Sequence, residues 1–289
     1  MKKYISALIL LLTIASCELY EQDEYIEQVV VESYQVANQP LSAVYLSRTA
    51  PIFELYNKEE RGINDAQVQV RVLSPEGNLV DIISFQRTGP GIYHAVDAEI
   101  TVKPRYRYEL NATIPSMDTR IQTATIVPDT FRIKGINATE LVYQGAQQFE
   151  LTLSPSFFPG RQSYYVFTNE TLDPDGAELT PFYADASGKR EDFYRVSSGI
   201  INQNSTDQNE DIVKLTFPWI GVAFYGPTRL KATAIDDNMY DYIRSLQIQG
   251  GGSTLSPGEI ENVISNVEGG IGLFGSYAEV TVDVRVLKP

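Results

Sequence analysis

Cys17 is the only cysteine and His94 the only histidine in 289 residues. A thiol can carry a diacylglyceryl group as a thioether, attack as a nucleophile or ligate a metal, and its neighbours decide which. One imidazole cannot build a zinc site that needs several, and His94 stands in a strand pattern, where a structural role is expected. The 37 acidic residues contain many carboxylate pairs. A glycosidase would need two of them flanking a cleft, a spatial property that sequence does not display. Asp173-Pro174-Asp175-Gly176 and Glu178 crowd oxygen ligands together, but without the twelve-residue spacing of an EF-hand, so a turn is expected and no metal. Gly270-Ile271-Gly272-Leu273-Phe274-Gly275 fits the GxGxxG pattern. Dinucleotide binding needs a strand before that pattern and a helix after it, whereas here an alternating strand follows. No cofactor is expected, and the glycines should make turns or let backbones approach closely. Trp219, Phe224, Tyr225, Phe157 and Phe158 could stack on a sugar or a partner, but core packing is the expectation. No catalytic, cofactor-binding or metal-ligating residue is assigned.

The neighbours of Cys17 single out the lipid chemistry. Lys2 and Lys3 precede an apolar run from Ile5 to Ile14. That run is too short for a bilayer span, which takes about 20 residues, and has the length of a signal-peptide core. Ile14-Ala15-Ser16-Cys17 resembles a bacterial lipobox, whose cysteine becomes the first mature residue. Residues 1–16 therefore read as a lipoprotein signal peptide and Cys17 as the lipid attachment site. Each buried acyl methylene contributes roughly 0.8 kcal/mol, and stable anchoring takes more than one chain. Cleavage removes two lysines and no acid, taking the formal charge from −14 to −16. Residues 17–27 form an acidic tether with Glu18, Glu21, Asp23, Glu24 and Glu27. Such acids behind a lipidated cysteine also resemble the export signal of Bacteroidetes surface lipoproteins. The acidic balance argues against nucleic acid, which requires basic grooves, and against binding an anionic bilayer by charge alone. One cysteine permits no internal disulfide.

The elements that would position these groups are strands. Val68, Val70 and Val72 alternate with Gln67, Gln69 and Arg71 in the clearest period-two stretch. Ser74-Pro75-Glu76-Gly77-Asn78 turns it into a return strand from Leu79 to Phe85. Val29 to Val31, Ala43 to Leu46, Ile92 to Val96, Tyr106 to Leu110 and Ile121 to Val127 complete a set of short strands with turns between them. The spacing predicts a β-sandwich over 28–127. Residues 128–289 read as a second β-rich domain with one or two short helices. Its strands are Phe149 to Leu153, Tyr164 to Thr168, Ile212 to Phe217, Arg229 to Ala234 and the Val280 to Val286 alternation. Leu172 to Asn209 reads as long loops with a short strand near Phe193 and Tyr194. Asp236 and Asp237 should cap a helix carrying Met239, Ile243 and Leu246. Ser256-Pro257-Gly258-Glu259 resembles a capping box, and Ile260, Val263, Ile264 and Val267 then predict a further helix.

Several stretches in order resemble one family. They are Leu46-Ser47-Arg48-Thr49, Ile63-Asn64-Asp65-Ala66-Gln67-Val68, Gly91-Ile92-Tyr93, Tyr106 to Leu110, Ala124 to Pro128, Asp241-Tyr242-Ile243 and Ser265 to Gly275. The set is similar to Bacteroidetes lipoproteins grouped as domain of unknown function 4249. The resemblance implies an outer-membrane lipoprotein with an immunoglobulin-like first domain and a second β-rich domain, and no catalytic residues. It also implies an extended or irregular course where periodicity predicts the helix at Ile260 to Val267. Such proteins are typically encoded beside TonB-dependent receptors. The expected function is therefore a lipid-anchored, non-enzymatic accessory to a TonB-dependent transporter, capturing or admitting a small-molecule or oligomeric nutrient. It should be exposed at the cell surface, with the periplasmic face the other option. The competing readings are a structural or adhesive surface lipoprotein without a transport partner, and a hydrolase using two acids of perturbed pKa in a cleft.

Overall fold

The computed structural model describes residues 25–203, 212–249 and 263–289. The expected signal peptide, Cys17, most of the expected tether, the Gly250-Gly251-Gly252-Ser253 stretch and the expected Ser256 capping box lie outside the described residues.

The chain is mainly β. Its first seven strands are β1 (Val29–Val36), β2 (Val44–Arg48), β3 (Gln67–Leu73), β4 (Leu79–Gly89), β5 (Ile92–Ala95), β6 (Arg107–Ile114) and β7 (Thr119–Ile126). They pair in the order β1-β2-β5-β4 in one sheet and β3-β6-β7 in the other. That is the strand order of a constant-type immunoglobulin sandwich. β4 connects the two sheets, since Asp81 to Ser84 pair with β3 while Phe85 to Gly89 pair with β5. Alternation puts Val68, Val70 and Val72 inside and leaves Gln67 and Gln69 in solvent. Two buried tyrosines tie the loops to this core. The Tyr108 hydroxyl at the start of β6 accepts from the Lys103 amide at 2.7 Å, the geometry of a tyrosine corner. The Tyr93 hydroxyl donates to the Ile63 carbonyl at 2.8 Å and accepts from the Ala66 amide at 3.1 Å.

The remaining strands are β8 (Ile133–Ile136), β9 (Glu140–Val142), β10 (Phe149–Leu153), β11 (Tyr164–Thr171), β12 (Arg195–Ser197), β13 (Ile201–Asn202), β14 (Val213–Phe217), β15 (Gly226–Ile235) and β16 (Ile271–Leu287). A small sheet ordered β14-β10-β8 packs its Phe149, Leu151, Leu215 and Phe217 into the core shared with β11, β15 and β16. The Phe167 and Phe217 rings meet across the gap at 5.1 Å. The short strand expected near Phe193 falls two residues later, at β12, because Arg190–Phe193 is taken up by a 3-10 turn.

β16 is the seam of the molecule. Its first part, Ile271 to Tyr277, pairs in parallel with β1 from Val30 to Val36. From Tyr277 to Val286 it pairs antiparallel with the whole of β15. The final strand thus completes the first sheet as well as the second, and the buried side chains of both sandwiches form one continuous core. The sequence boundary at 127/128 therefore marks where the chain leaves the first sandwich, while residues 271–277 return to it.

One helix of length follows β15, Asp237–Gln249. Asp236 caps it as expected, its Oδ1 accepting from the Met239 amide at 2.8 Å. The apolar stripe is only partly covered, with Leu246 at 42% exposure. The second helix is corrected within the described residues. Residues 263–267 are irregular, because this segment is bonded to neighbouring strands. Glu268 and Gln122 exchange backbone hydrogen bonds at 2.9 and 3.1 Å. Thr123 donates to the Asn266 carbonyl at 2.8 Å. A backbone so engaged cannot also close helical turns. Glu259 and Ile260 lie outside the described residues.

Candidate functional site

The segment leading into β16 crosses the end of β7, and the glycines of residues 269–275 allow it to do so. Gly269 has φ +81°, and a Cβ there would lie 2.2 Å from the Arg120 carbonyl oxygen. Gly272 has φ +122°, and a Cβ would lie 2.0 Å from the Val31 oxygen. Asn266 completes the crossing as a side-chain imitation of a strand: its Nδ2 donates to the Phe274 carbonyl at 2.8 Å and its Oδ1 accepts from the Phe274 amide at 3.0 Å. The GxGxxG stretch is therefore a strand-packing device, and the helix that pyrophosphate binding requires is replaced by β16 itself.

This crossing walls one side of an open polar groove of about 420 Å³ on the outer face of the β3-β6-β7 sheet. Register builds its floor. Arg71 stands opposite Glu109, and Asn111 opposite Gln122. Glu109 is held between two guanidiniums, Arg71 Nη1 at 3.0 Å and Arg107 Nε at 2.9 Å. Gln122 Nε2 donates to Asn111 Oδ1 at 3.3 Å. Exposed pairs of this kind add little stability, but they fix the directions of the remaining guanidinium donors. Glu268 closes the far side, so two arginines balance two carboxylates. The lining offers fixed donors and acceptors without an aromatic platform. It suits a hydroxyl-rich or amide-bearing ligand held by hydrogen bonds.

The residues weighed from sequence lie elsewhere. His94 is exposed on β5, its Nδ1 2.7 Å from the Thr88 hydroxyl. Asp173 Oδ1 accepts from the Gly176 amide at 2.9 Å, the expected turn. Among the described residues no group of three His, Cys, Asp or Glu side chains could hold a metal. Trp219, Phe224, Tyr225 and Phe158 are buried, while Phe157 is exposed beneath Arg105. Trp219 meets Tyr143 and Phe149 edge-on at 5.5 and 6.0 Å, as core aromatics do. Among the described residues the one strongly perturbed acid is Asp236, whose carboxyl is pushed up to about 7 by burial at 1% exposure. It faces Thr125 and Ser276 inside the seam rather than the groove. Sequence reasoning passed over the groove because its residues are the ordinary solvent face of alternating strands.

Two β-sandwiches fused through a shared strand, with a polar groove beside the seam, define a mainly β protein. A family model described as "Domain of unknown function (DUF4249)" matches residues 17–283, and the chain belongs to that family. No curated protein is a match. Among solved structures, a tetra-tandem repeat from the extending region of a large adhesion protein is 14% identical, covering 90% of this chain and 48% of that one, with a TM-score of 0.23. Trypsin-activated alpha-2-macroglobulin from Escherichia coli is 11% identical over 73% of this chain and 14% of that one, TM-score 0.23. Salmonella alpha-2-macroglobulin reacted with methylamine is 10% identical over 93% and 16%, TM-score 0.24. The chain spans less than half the length of each, and similarity this low carries no argument about function.

Proposed function

We propose that this chain is a lipid-anchored outer-membrane binding protein, non-enzymatic, that captures a polar nutrient for a TonB-dependent transporter. The observation that carries the reading is the rigid polar groove at the strand seam, on a chain whose sole thiol stands at a lipobox. The family match begins at Cys17, which supports a leader ahead of the mature chain. The family resemblance supports the transporter.

Three measurements test it. The protein should co-purify with a transporter from solubilised membranes, and its deletion should slow uptake. Asn111→Ala with Gln122→Ala should leave the fold intact. It should weaken nutrient capture about tenfold, the loss expected from removing one or two neutral hydrogen bonds. If no transporter comes with it and uptake is unchanged, the proposal fails. Attachment to a surface polymer in that case would favour an adhesive role.

A further inference from the structure

A second surface lies where the chain enters the body. Residues 51–56 form a projecting loop whose tip is apolar and bare: Ile52 is 79% exposed, Phe53 90% and Leu55 99%. Ile26 beside the entering chain is 77% exposed. The base of the loop is held on both sides. The Tyr56 hydroxyl donates to Ser47 Oγ at 2.9 Å, and Glu54 pairs with Arg61. Arg61 also reaches Glu27 at 3.4 Å. The entering chain is fastened to the same base, since the Tyr25 hydroxyl donates to the Thr49 carbonyl at 2.6 Å and Gln28 and Thr49 exchange hydrogen bonds. Large apolar side chains held out in water are costly unless something covers them.

We propose that this loop is a second membrane contact, dipping Phe53, Leu55 and Ile52 into the lipid headgroup and acyl boundary and setting the orientation of the body. The proposal rests on the lipid-anchor reading of Cys17 and not on the groove or the transporter. Chain length argues for the bilayer as the occupant. Seven residues lie between Cys17 and Tyr25, so the eight chain steps reach at most about 28 Å. The end of the body carrying the loop is thus the end that the anchor holds nearest the membrane. Charge argues against an anionic surface: Arg48, Lys58 and Arg61 are outnumbered by Glu27, Glu32, Glu54, Glu59 and Glu60, so contact would depend on apolar insertion into neutral lipid. Tyr25 and Tyr56 flank the tip at 42% and 53% exposure, aromatic rings with polar ends suited to the headgroup level.

The native cysteine is consumed by the anchor, so a single introduced cysteine can be spin-labelled without interference. The full lipidated chain carrying Phe53→Cys is reconstituted in phosphatidylcholine vesicles. Val80→Cys, on the β3–β4 hairpin and 46% exposed, serves as the comparison. The label at 53 should collide with oxygen in preference to a water-soluble nickel chelate, and the label at 80 should show the reverse. In a Cys17→Ser chain expressed without residues 1–16, Phe53→Ser with Leu55→Ser should lower partitioning into the same vesicles at least tenfold. Intact mass of the labelled sample separates the two ideas. A lipidated Cys17 with a water-exposed label at 53 would overturn the loop contact alone. An unmodified Cys17 would remove the anchor and the proposal with it. A label at 53 shielded only when a transporter is added would make the loop a protein interface and would also overturn the proposal.

Discussion

Gly272→Ala should leave little folded protein. The parallel pairing of β1 with β16 places Gly272 beside Val31, with φ +122° and only 2.0 Å between a would-be Cβ and the Val31 carbonyl oxygen. An L side chain is strained at that φ, and the overlap is with backbone, which cannot rotate away. Relief would require β1 and β16 to part, opening the joint between the two sandwiches. The expected cost is at least about 4 kcal/mol, a large share of the 5–15 kcal/mol that holds a typical domain together. Two other glycines serve as internal comparisons. Gly135 has open space around its would-be Cβ, so Gly135→Ala should change stability by under about 1 kcal/mol. Gly275→Ala would crowd Met239 Cγ at 2.7 Å, with Asp236 and Leu273 in ordinary contact, so its cost should fall between the other two. Denaturant unfolding of the three variants checks the ranking. Equal behaviour of Gly272→Ala and Gly135→Ala would refute the seam.

The second large effect is a pH dependence set by Asp236. Its Oδ2 and the Ser276 hydroxyl each stand 2.5 Å from Thr125 Oγ1, and Ser276 Oγ donates to the Ile126 carbonyl at 3.0 Å. With the carboxylate ionised, two hydroxyl protons must serve three contacts. A protonated carboxyl supplies the third proton and satisfies the chain through to the carbonyl. Burial pushes the group in the same direction, from the ordinary 3.8 up to about 7, against the bonds from Thr125 and the helix amide, with Asp237 adding a like charge. The native state therefore keeps a proton that the unfolded chain releases near pH 4. Stability from this group is fully present below about pH 4 and is lost as pH rises toward 7, by up to about 4 kcal/mol. Asp236→Asn keeps the cap acceptor and can donate to Thr125 as the neutral acid does. Subtracting its unfolding free energy from that of the wild type at each pH cancels the acid-side contributions of Asp65, Glu170 and Asp283. The difference should decline between pH 4 and 7 and flatten above. Asp236→Ala, lacking both roles, should lie about 3 kcal/mol below Asp236→Asn at every pH. A flat difference curve would show that the carboxyl is ionised throughout.

The strands were largely legible from alternation, and the start of the helix from Asp236. A β-sandwich was expected from strand spacing and its immunoglobulin-like character from the family resemblance, while β16 joining β1 across the whole length of the chain left no local trace except closely spaced glycines. The helix expected at Ile260 to Val267 shows why periodicity alone misleads. Its apolar residues fall at helical spacing, but Ser265 and Asn266 offer side-chain bonds to Gly272 and Phe274 that compete with a helix. The groove was hidden for a different reason. Arg71, Glu109 and Gln122 are what any solvent-facing strand carries, and only register brings them together. The 51–56 loop was hidden too, since Ile52, Phe53 and Leu55 could equally have been core residues.

The most direct test of the central claim is the intact mass of the mature protein recovered from fractionated cells. An N-terminus at Cys17 carrying a diacylglyceryl thioether and an acyl chain, in the outer-membrane fraction, is the result this account predicts. A free thiol at Cys17 on a protein released into the soluble fraction would contradict it.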